Sequence, residues 1–579
     1  MQDSNKIKVA LMWNMHQPEY RDLDTGIYQL PWAYLHTIKD YVDMAMHLKK
    51  HPDAKVIVNF TPVLLEQIDD YTQQLDAYFK HDATLRDPLL AALASSNIKD
   101  DAVSRANIIN WCSKVHRENI VARFPAFQNL LGIVEMMKTN QEALAYLNDQ
   151  YFYDLLTWFH LGWLGENVRR TDKRVKNLIE KANTYDSEDR RTLLQVIFEL
   201  ISSVIPRYRE LAVNGQIELS TTPYTHPIMP LLLDMNSAKE SMPGASMPEC
   251  SAYPGGESRA RWHIEKSLQI FKKHFGFPPS GCWPSEGAIS TETCHLFDEY
   301  GFQWIASGEG VLRHSIEQSD AGAVENSALA YSPFKVKSGE ITCFFRDDRI
   351  SDLIGFEYSR WHGDHAVDNL IHILTDIANQ EQVNEDNIVS IILDGENAWE
   401  HYPENAYYFL SGLYQKLSQH PDIELTTYTD YLNSDIRSHK TISHLVTGSW
   451  VYGTLSTWIG SEDKNTGWDM LCEAKRCFDK AVISNKMKHE HVDKANWQLS
   501  ICEGSDWFWW FGDYNSADAV SNFEQLYRKN LSNLYKMMNL PIPEYLNTCI
   551  SHGSETSDAG GTMRRGEGSL IELQKSVVN

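Results

Sequence analysis

The sequence predicts an α/β fold built from βα units, with enough strands to close a barrel. Three observations carry this reading. Short apolar runs rich in β-branched residues recur along the chain, each ends abruptly in polar or Gly/Pro residues, and segments of helical period separate most of them. Seven runs read as strands: 8–13, 55–60, 216–220, 281–283, 302–306, 341–345 and 388–393.

The clearest unit surrounds residue 286. A helix carrying Trp262, Leu268, Phe271 and Phe275 stops at Gly276, and Pro278-Pro279 precede the next strand. After that strand Ser290 is placed to cap a helix with Glu292 in its first turn, running through Leu296 and Phe297 to Gly301. Glu286 therefore falls in a βα loop, which in a barrel is the catalytic face. Between the second and third strands lie about 155 residues, too many for an ordinary connection, so an inserted helical unit is expected there, with Trp111, Trp158, Phe159 and Trp163 on its apolar faces and packed over the barrel mouth or side. After residue 420 the pattern changes again. A strand-like stretch at 423–427 and a turn at Thr447-Gly-Ser-Trp450 lead into helices, one with Phe523, Leu526, Tyr527, Leu531, Leu534, Tyr535 and Met538 at 3/4 spacing. The expected organisation is a barrel unit at 1–420 with a helical insertion at about 65–210, a mainly helical region at 421–550 and a flexible tail at 551–579.

Composition narrows the function. The 579 residues carry a formal charge of −25, which repels phosphate backbones and disfavours nucleic acid as a partner. No apolar run approaches the roughly 18 residues of a membrane helix, and the amino-terminal stretch has no signal-like apolar core, so a protein that neither spans a membrane nor is secreted is expected. Nine cysteines without a close CxxC pair suggest neither disulfides nor a Cys-rich zinc site, in keeping with a reducing cytoplasm. The 17 Trp and 27 Tyr offer flat faces with polar edges, suited to sugar rings as well as to cores.

Two carboxyl positions stand at strand ends: Glu286 in Trp283-Pro-Ser-Glu-Gly287, and Asp394 in Leu393-Asp-Gly-Glu-Asn397. Cleaving a glycosidic bond with retention needs a carboxylate nucleophile and a carboxylic acid for the leaving oxygen, about 5 to 5.5 Å apart. Strand ends facing one barrel mouth supply such a pair, although each position also suits a helix cap or an arginine partner. In an extended chain Glu396 shares a side with Asp394, so the pattern leaves open which is the acid. His16 ends the first strand and His226 follows the third; each suits substrate hydroxyls, a metal or a structural hydrogen bond. In Asp506-Trp-Phe-Trp-Trp-Phe511 the rings either stack a sugar while the carboxylate binds hydroxyls, or pack in a core.

These residues together resemble glycoside hydrolase family 57, especially its α-amylase and amylopullulanase-like branch. The resemblance rests on His16-Gln-Pro18, the stretch from Gly215 to His226, Gly281-Cys-Trp-Pro-Ser-Glu-Gly287, Leu393-Asp-Gly-Glu-Asn-Ala-Trp-Glu400 and Gly504-Ser-Asp-Trp-Phe-Trp-Trp510, in the family's order; Phe345-Arg-Asp347 through Phe356 also looks like that branch. It implies a (β/α)7 barrel with a helical region completing the site, a retaining α-amylase-like mechanism on α-glucans such as maltooligosaccharides, no cofactor and no catalytic metal. By position it makes Glu286 the nucleophile and Asp394 the acid/base, which settles the choice against Glu396. It gives sugar-binding roles to His16, Trp283, Asp506 and Trp509; His226 and Glu396 complete the candidate substrate-binding set. Position 226 departs from other branches, which carry Glu there, and the family includes hydrolases, transglycosylases and branching enzymes.

For Asp394 to act as an acid its pKa must rise above about 3.9, here expected from repulsion by Glu286 and Glu396 together with partial desolvation. A zinc α-mannosidase-like site is the alternative among enzymes, but its HxD-type ligand pair would want an acid where Pro18 stands. A noncatalytic glucan-binding protein is the alternative of another class, and it has no need of a nucleophile.

Overall fold

The structure, a computed structural model, describes residues 6–137, 144, 146–319, 327–380, 382–434, 440–484 and 487–554. Its strands are β1 (Ile7–Met15), β2 (Val56–Phe60), β3 (Ile217–Thr221), β4 (Gly281–Cys282), β5 (Trp304–Gly308), β6 (Phe334–Val336), β7 (Thr342–Arg346), β8 (Ile388–Asp394), β9 (Ile423–Leu425) and β10 (Lys440–Ile442). Strands β1, β2, β3, β4, β5, β7 and β8 pair in parallel in that order, β8 returns to β1, and Arg346 of β7 opposite Ser390 of β8 closes the ring. These are the seven strands predicted from the sequence, closed into a seven-stranded barrel. Outside the ring β6 lies antiparallel on β7 with β10 beyond it, and β9 pairs with the first residues of β1.

Period-2 alternation divides each strand between the barrel interior and the helices outside. Ala10, Met12, Ile57, Trp283, Trp304, Ala306, Phe344, Ile388 and Ile392 fill the interior, whereas Val9, Leu11, Trp13, Val389, Ile391 and Leu393 belong to the large core beneath the helices. The amino-terminal end of the barrel is plugged by the short helix Tyr428–Leu432 that follows β9. Tyr428 stacks on Phe344 at 4.0 Å between centroids and packs on Trp304. The half-buried Glu218 of β3 fixes the plug, accepting from Trp304 Nε1 at 2.6 Å and from Thr429 N and Oγ1 at 2.9 and 2.6 Å. With that end filled among the described residues, the cavity opens at the carboxyl ends of the strands.

Among the described residues the connection from β2 to β3 is helical, including Pro62–His81, Ala102–Ser113, Asp149–Trp163 and Ser187–Val213. Side-chain caps at Asp101, Asn148 and Asp186 open the last three by satisfying amide groups of the first turn. The predicted unit around residue 286 forms as expected. Helix Gly256–Phe275 ends on left-handed Gly276, and Ser290 caps Thr291–Glu299. Beyond the barrel, helices Glu462–Ile483, His489–Cys502, Asp506–Trp510 and Ala517–Met537 pack together, and the last carries the predicted 3/4 stripe. No helix among the described residues is long and apolar enough to cross a membrane. All nine cysteines are free thiols. Of the predicted tail, residues 551–554 are described, with Ser551 buried and Ser554 bridging to Ser516; residues 555–579 lie outside the described residues.

Glycine spacing gives a test of the packing. A Cβ on Gly281 would lie 1.8 Å from the Trp304 ring, whereas one on helical Gly132 meets nothing within 4 Å. Gly281→Ala should therefore lower stability by about 1 to 3 kcal/mol or more. Gly132→Ala should raise it by about 0.5 to 1 kcal/mol, and parallel thermal melts check both.

Candidate active site

A cavity of about 480 Å³ opens at the carboxyl ends of the strands, and Glu286, Asp394, His16, Glu396, Asp506 and Trp509 all line it. Glu286 follows β4, and Asp394 is the last residue of β8. In the ring these strands are separated by β5 and β7 on one side and by β1, β2 and β3 on the other, so the two residues reach one cavity from opposite arcs of the mouth.

A chain of hydrogen bonds, mostly buried, runs from Asp394 to the start of the Glu286 loop. Asn14 Nδ2 donates to Asp394 Oδ1 at 3.1 Å, and Asn59 Nδ2 donates to Asn14 Oδ1 and to Thr222 Oγ1, each at 2.8 Å. Thr222 Oγ1 in turn donates to the carbonyl of Trp283 at 2.9 Å, and Ser220 Oγ donates to Asn59 Oδ1 at 3.0 Å. The chain thus crosses the ends of β8, β1, β2, β3 and β4. Neither asparagine was singled out in the sequence; the available signal was a polar amide at the end of each of two apolar strands.

Asp394 also accepts from Asn397 Nδ2 at 3.3 Å. Burial raises its carboxyl pKa above the ordinary value, while the Asn14 and Asn397 donors and the charges of His16 and Arg346 act in the other direction. Of the two expected causes, desolvation is the largest contribution, while repulsion by neighbouring carboxylates is not what raises it. Repulsion falls on Glu396 instead, whose pKa is driven far up by burial, then by Asp394 and Asp40. Both carboxyls are thus shifted toward the protonated form, Glu396 by burial and like charge together. Glu396 Oε1 accepts from His16 N and Gln17 Nε2, both at 3.3 Å, and so pins the His16-Gln-Pro18 loop.

His16 reaches across to the carboxy-terminal region: its Nε2 lies 2.7 Å from Asp506 Oδ1, and its Nδ1 lies 3.1 Å from Thr61 Oγ1. His226 is fully buried behind His16, with its Nδ1 2.8 Å from Ser505 Oγ and 3.9 Å from Glu286 Oε1. Burial, reinforced by the neighbouring His16, pushes its pKa well down and keeps it neutral. Asp506 is held over the mouth by a buried anchor three residues earlier. Glu503 pairs with Arg259 at 2.7 Å and with His263 at 2.8 Å, both on the barrel helix Gly256–Phe275. Burial alone would raise the Glu503 carboxyl, but Arg259 and His263 overcome it and hold the pKa at about 2.

The aromatic candidates separate. Trp509 and Trp510 line the cavity, while Trp507 and Phe508 pack in the core. Trp283 is fully buried within the barrel interior and does not line the cavity. In place of the expected sugar contact it supports the floor beneath Glu286. Trp32, Trp111, Lys114 and Trp163 add a wall that the sequence did not assign to substrate, with Trp32 packed on Trp111 and Trp163.

His16, His226 and Asp506 bring possible ligand atoms within 4.8 Å of one another. The two imidazoles, however, are stacked at 3.8 Å with planes 19° apart, so their in-plane lone pairs run side by side and do not converge. Tetrahedral coordination requires convergence, and the His16 nitrogen nearest Asp506 is already hydrogen-bonded to it. The trio as arranged does not fit a shared metal ion.

A closed parallel barrel whose strand ends bring two carboxyls into one cavity is the frame of a barrel enzyme. The chain belongs to glycosyl hydrolase family 57, whose family model matches residues 10–444, and it is thus a glycoside hydrolase or a related transglycosylase. No curated protein matches the sequence. Among solved structures it is similar to a family 57 branching enzyme from Thermococcus kodakaraensis, with 14% identity, 98% of this chain and 94% of that chain covered, and a TM-score of 0.57. It is similar to an α-amylase from Thermotoga maritima, with 13% identity, 92% and 94% coverage and a TM-score of 0.52. It is also similar to a 4-α-glucanotransferase from Thermococcus litoralis, with 13% identity, 92% and 60% coverage and a TM-score of 0.51.

The anchor gives a direct test. Glu503→Gln leaves Arg259 buried without its counter-charge and should cost about 3 to 5 kcal/mol in denaturant unfolding. Because the Glu503 pKa is depressed in the folded protein, its contribution is present above the unfolded value of about 4.3 and is lost as pH falls toward about 2. The wild-type and variant stabilities should converge over that interval. Exhaustive chelation, in contrast, should leave turnover unchanged.

Proposed function

We propose that the protein is a retaining α-glucan-active enzyme that cleaves α-1,4-linked maltooligosaccharides by double displacement. The observation that carries this reading is the placement of Glu286 and Asp394 in one cavity, reached from opposite arcs of the barrel mouth. In the first step the Glu286 carboxylate forms a bond to the anomeric carbon as the bond from that carbon to the glycosidic oxygen breaks, and the proton of Asp394 passes to the leaving oxygen. In the second, Asp394 takes a proton from water or an acceptor hydroxyl, whose oxygen displaces Glu286. The raised pKa of Asp394 suits the acid role, since a carboxyl held protonated above its ordinary range has a proton to give. Asp506 and His16 are placed to hydrogen-bond sugar hydroxyls, and Trp509 to stack on a ring.

Glycosyl transfer is the second reading, and the aromatic wall favours it. Trp32, packed on Trp111 and Trp163, together with Trp509 and Trp510 offers an acceptor sugar apolar faces in the cavity where water would compete. A branching enzyme, an α-amylase and a 4-α-glucanotransferase share this fold, so the fold alone does not choose among them.

Incubation with maltoheptaose followed by product separation tests both readings. Shorter products alone indicate hydrolysis, longer ones indicate transfer, and binding without new products would overturn the assignment. Glu286→Gln should abolish turnover, and near-normal turnover would refute the nucleophile role. The alkaline limb of kcat/KM should lie above the ordinary carboxylate range and vanish in Asp394→Asn. Trp509→Ala should act mainly on KM, with a loss of about 1.5 to 3 kcal/mol in kcat/KM.

A further inference from the structure

The loop that carries Glu286 is clamped from outside the barrel by a segment remote in sequence. Ile289 and Gly448 form an isolated antiparallel bridge, with Ile289 N donating to Gly448 O at 2.9 Å and Gly448 N returning to Ile289 O at 3.2 Å. One turn further, Trp450 meets Glu286 twice. Its backbone N–H donates to the Glu286 carbonyl at 3.2 Å, and its indole Nε1–H donates to Glu286 Oε2 at 2.9 Å. Glu286 needs this hold, because its φ of 57° places a non-glycine residue in the left-handed region.

Trp450 is itself fixed on several sides. Its ring meets Trp283 edge-on at 5.2 Å, and the Arg346 guanidinium lies 5.4 Å from its centroid. Its backbone passes so close to the end of β5 that a Cβ on Gly308 would lie 2.6 Å from the Trp450 Cα. Trp450 does not line the cavity. It stands behind Glu286, where a hydrogen-bond donor orients the carboxylate without touching sugar.

We propose that Trp450 is a positioning residue for the reaction, its indole N–H holding Glu286 Oε2 so that Oε1 is presented to the anomeric carbon. This rests on the reading of Glu286 as the nucleophile. A donor aimed at one carboxylate oxygen restricts rotation of the group and leaves the other oxygen to form the glycosyl–enzyme bond. It also stabilises the charged form of the carboxyl.

The test compares wild type, Trp450→Phe and Glu286→Ala on maltoheptaose, with kcat, KM, pH profile and thermal midpoint measured for each folded protein. Trp450→Phe keeps a large aromatic ring and removes the donor. It should lower kcat by about 10- to 100-fold, the range for losing a hydrogen bond to a charged group, with KM changed less than threefold. The acid limb of kcat/KM should move to higher pH, because the carboxylate loses a donor that favours its charged form. If Trp450→Phe does not fold, 3-benzothienylalanine at position 450, which has the shape of indole without its N–H, is compared in its place with the same expectations. A folded donor-less protein with wild-type kcat and an unmoved acid limb would overturn the proposal. So would a loss confined to KM, which marks a sugar platform, or to the thermal midpoint, which marks packing alone. Glu286→Ala separates the two ideas. If it retains turnover, the nucleophile reading fails; if it is inactive while the donor-less variant behaves as wild type, only the positioning role fails.

Discussion

The hydrogen bond from Asn14 to Asp394 is the contact on which the barrel mouth depends, because it lets a carboxyl sit half-enclosed at the end of an apolar strand. A carboxyl there costs desolvation whenever it is charged, and burial shifts it toward the protonated form. Asn59 donates to the Asn14 carbonyl oxygen and so fixes the amide with its NH2 toward Asp394, and Asn59 is held by Ser220 and passes its second donor to Thr222. The chain ends on the Trp283 carbonyl, at the start of the Glu286 loop. Two groups far apart in sequence are thus set at a fixed separation by four short side chains buried between them.

The plugged barrel explains why the site needs parts from outside the ring. Tyr428 and Glu218 close the amino-terminal end, so the cavity opens at the carboxyl ends, where strands stop and loops alone hold the functional groups. Loops hold geometry only where something packs on them. The 448–450 turn does this for Glu286, and Ser505 and Asp506 do it for His226 and His16. Both braces belong to the region after the barrel. The buried Glu503 pair with Arg259 and His263 is what fastens that region down, which makes the carboxy-terminal helices part of the site.

The three-acid cluster shows how burial sorts like groups into different roles. Glu396, buried beside Asp394 and Asp40, is pushed far toward its protonated form and turns one oxygen toward the His16 loop, whereas the neighbours of Asp394 include donors that favour its charged form. The sequence placed both acids on one side of the chain; the difference between them comes from burial of Glu396 followed by the approach of Asp394 and Asp40, against the donors and cations around Asp394.

The sequence by itself determined the seven strands, the caps at Ser290 and Gly276, the stripe of the Ala517–Met537 helix and the two strand-end carboxyls. Each follows from local period, turn chemistry or a residue's distance from a strand end, all readable within a short window. Tertiary structure alone decided that Trp283 is a floor residue and Trp509 a wall, that Asn14 and Asn59 connect the mouth, and that Trp450 reaches Glu286 from 164 positions away. The physical reason is that burial and hydrogen-bond partnership depend on which distant segments converge. A tryptophan next to an acid reads alike in sequence whether its face meets solvent or another strand.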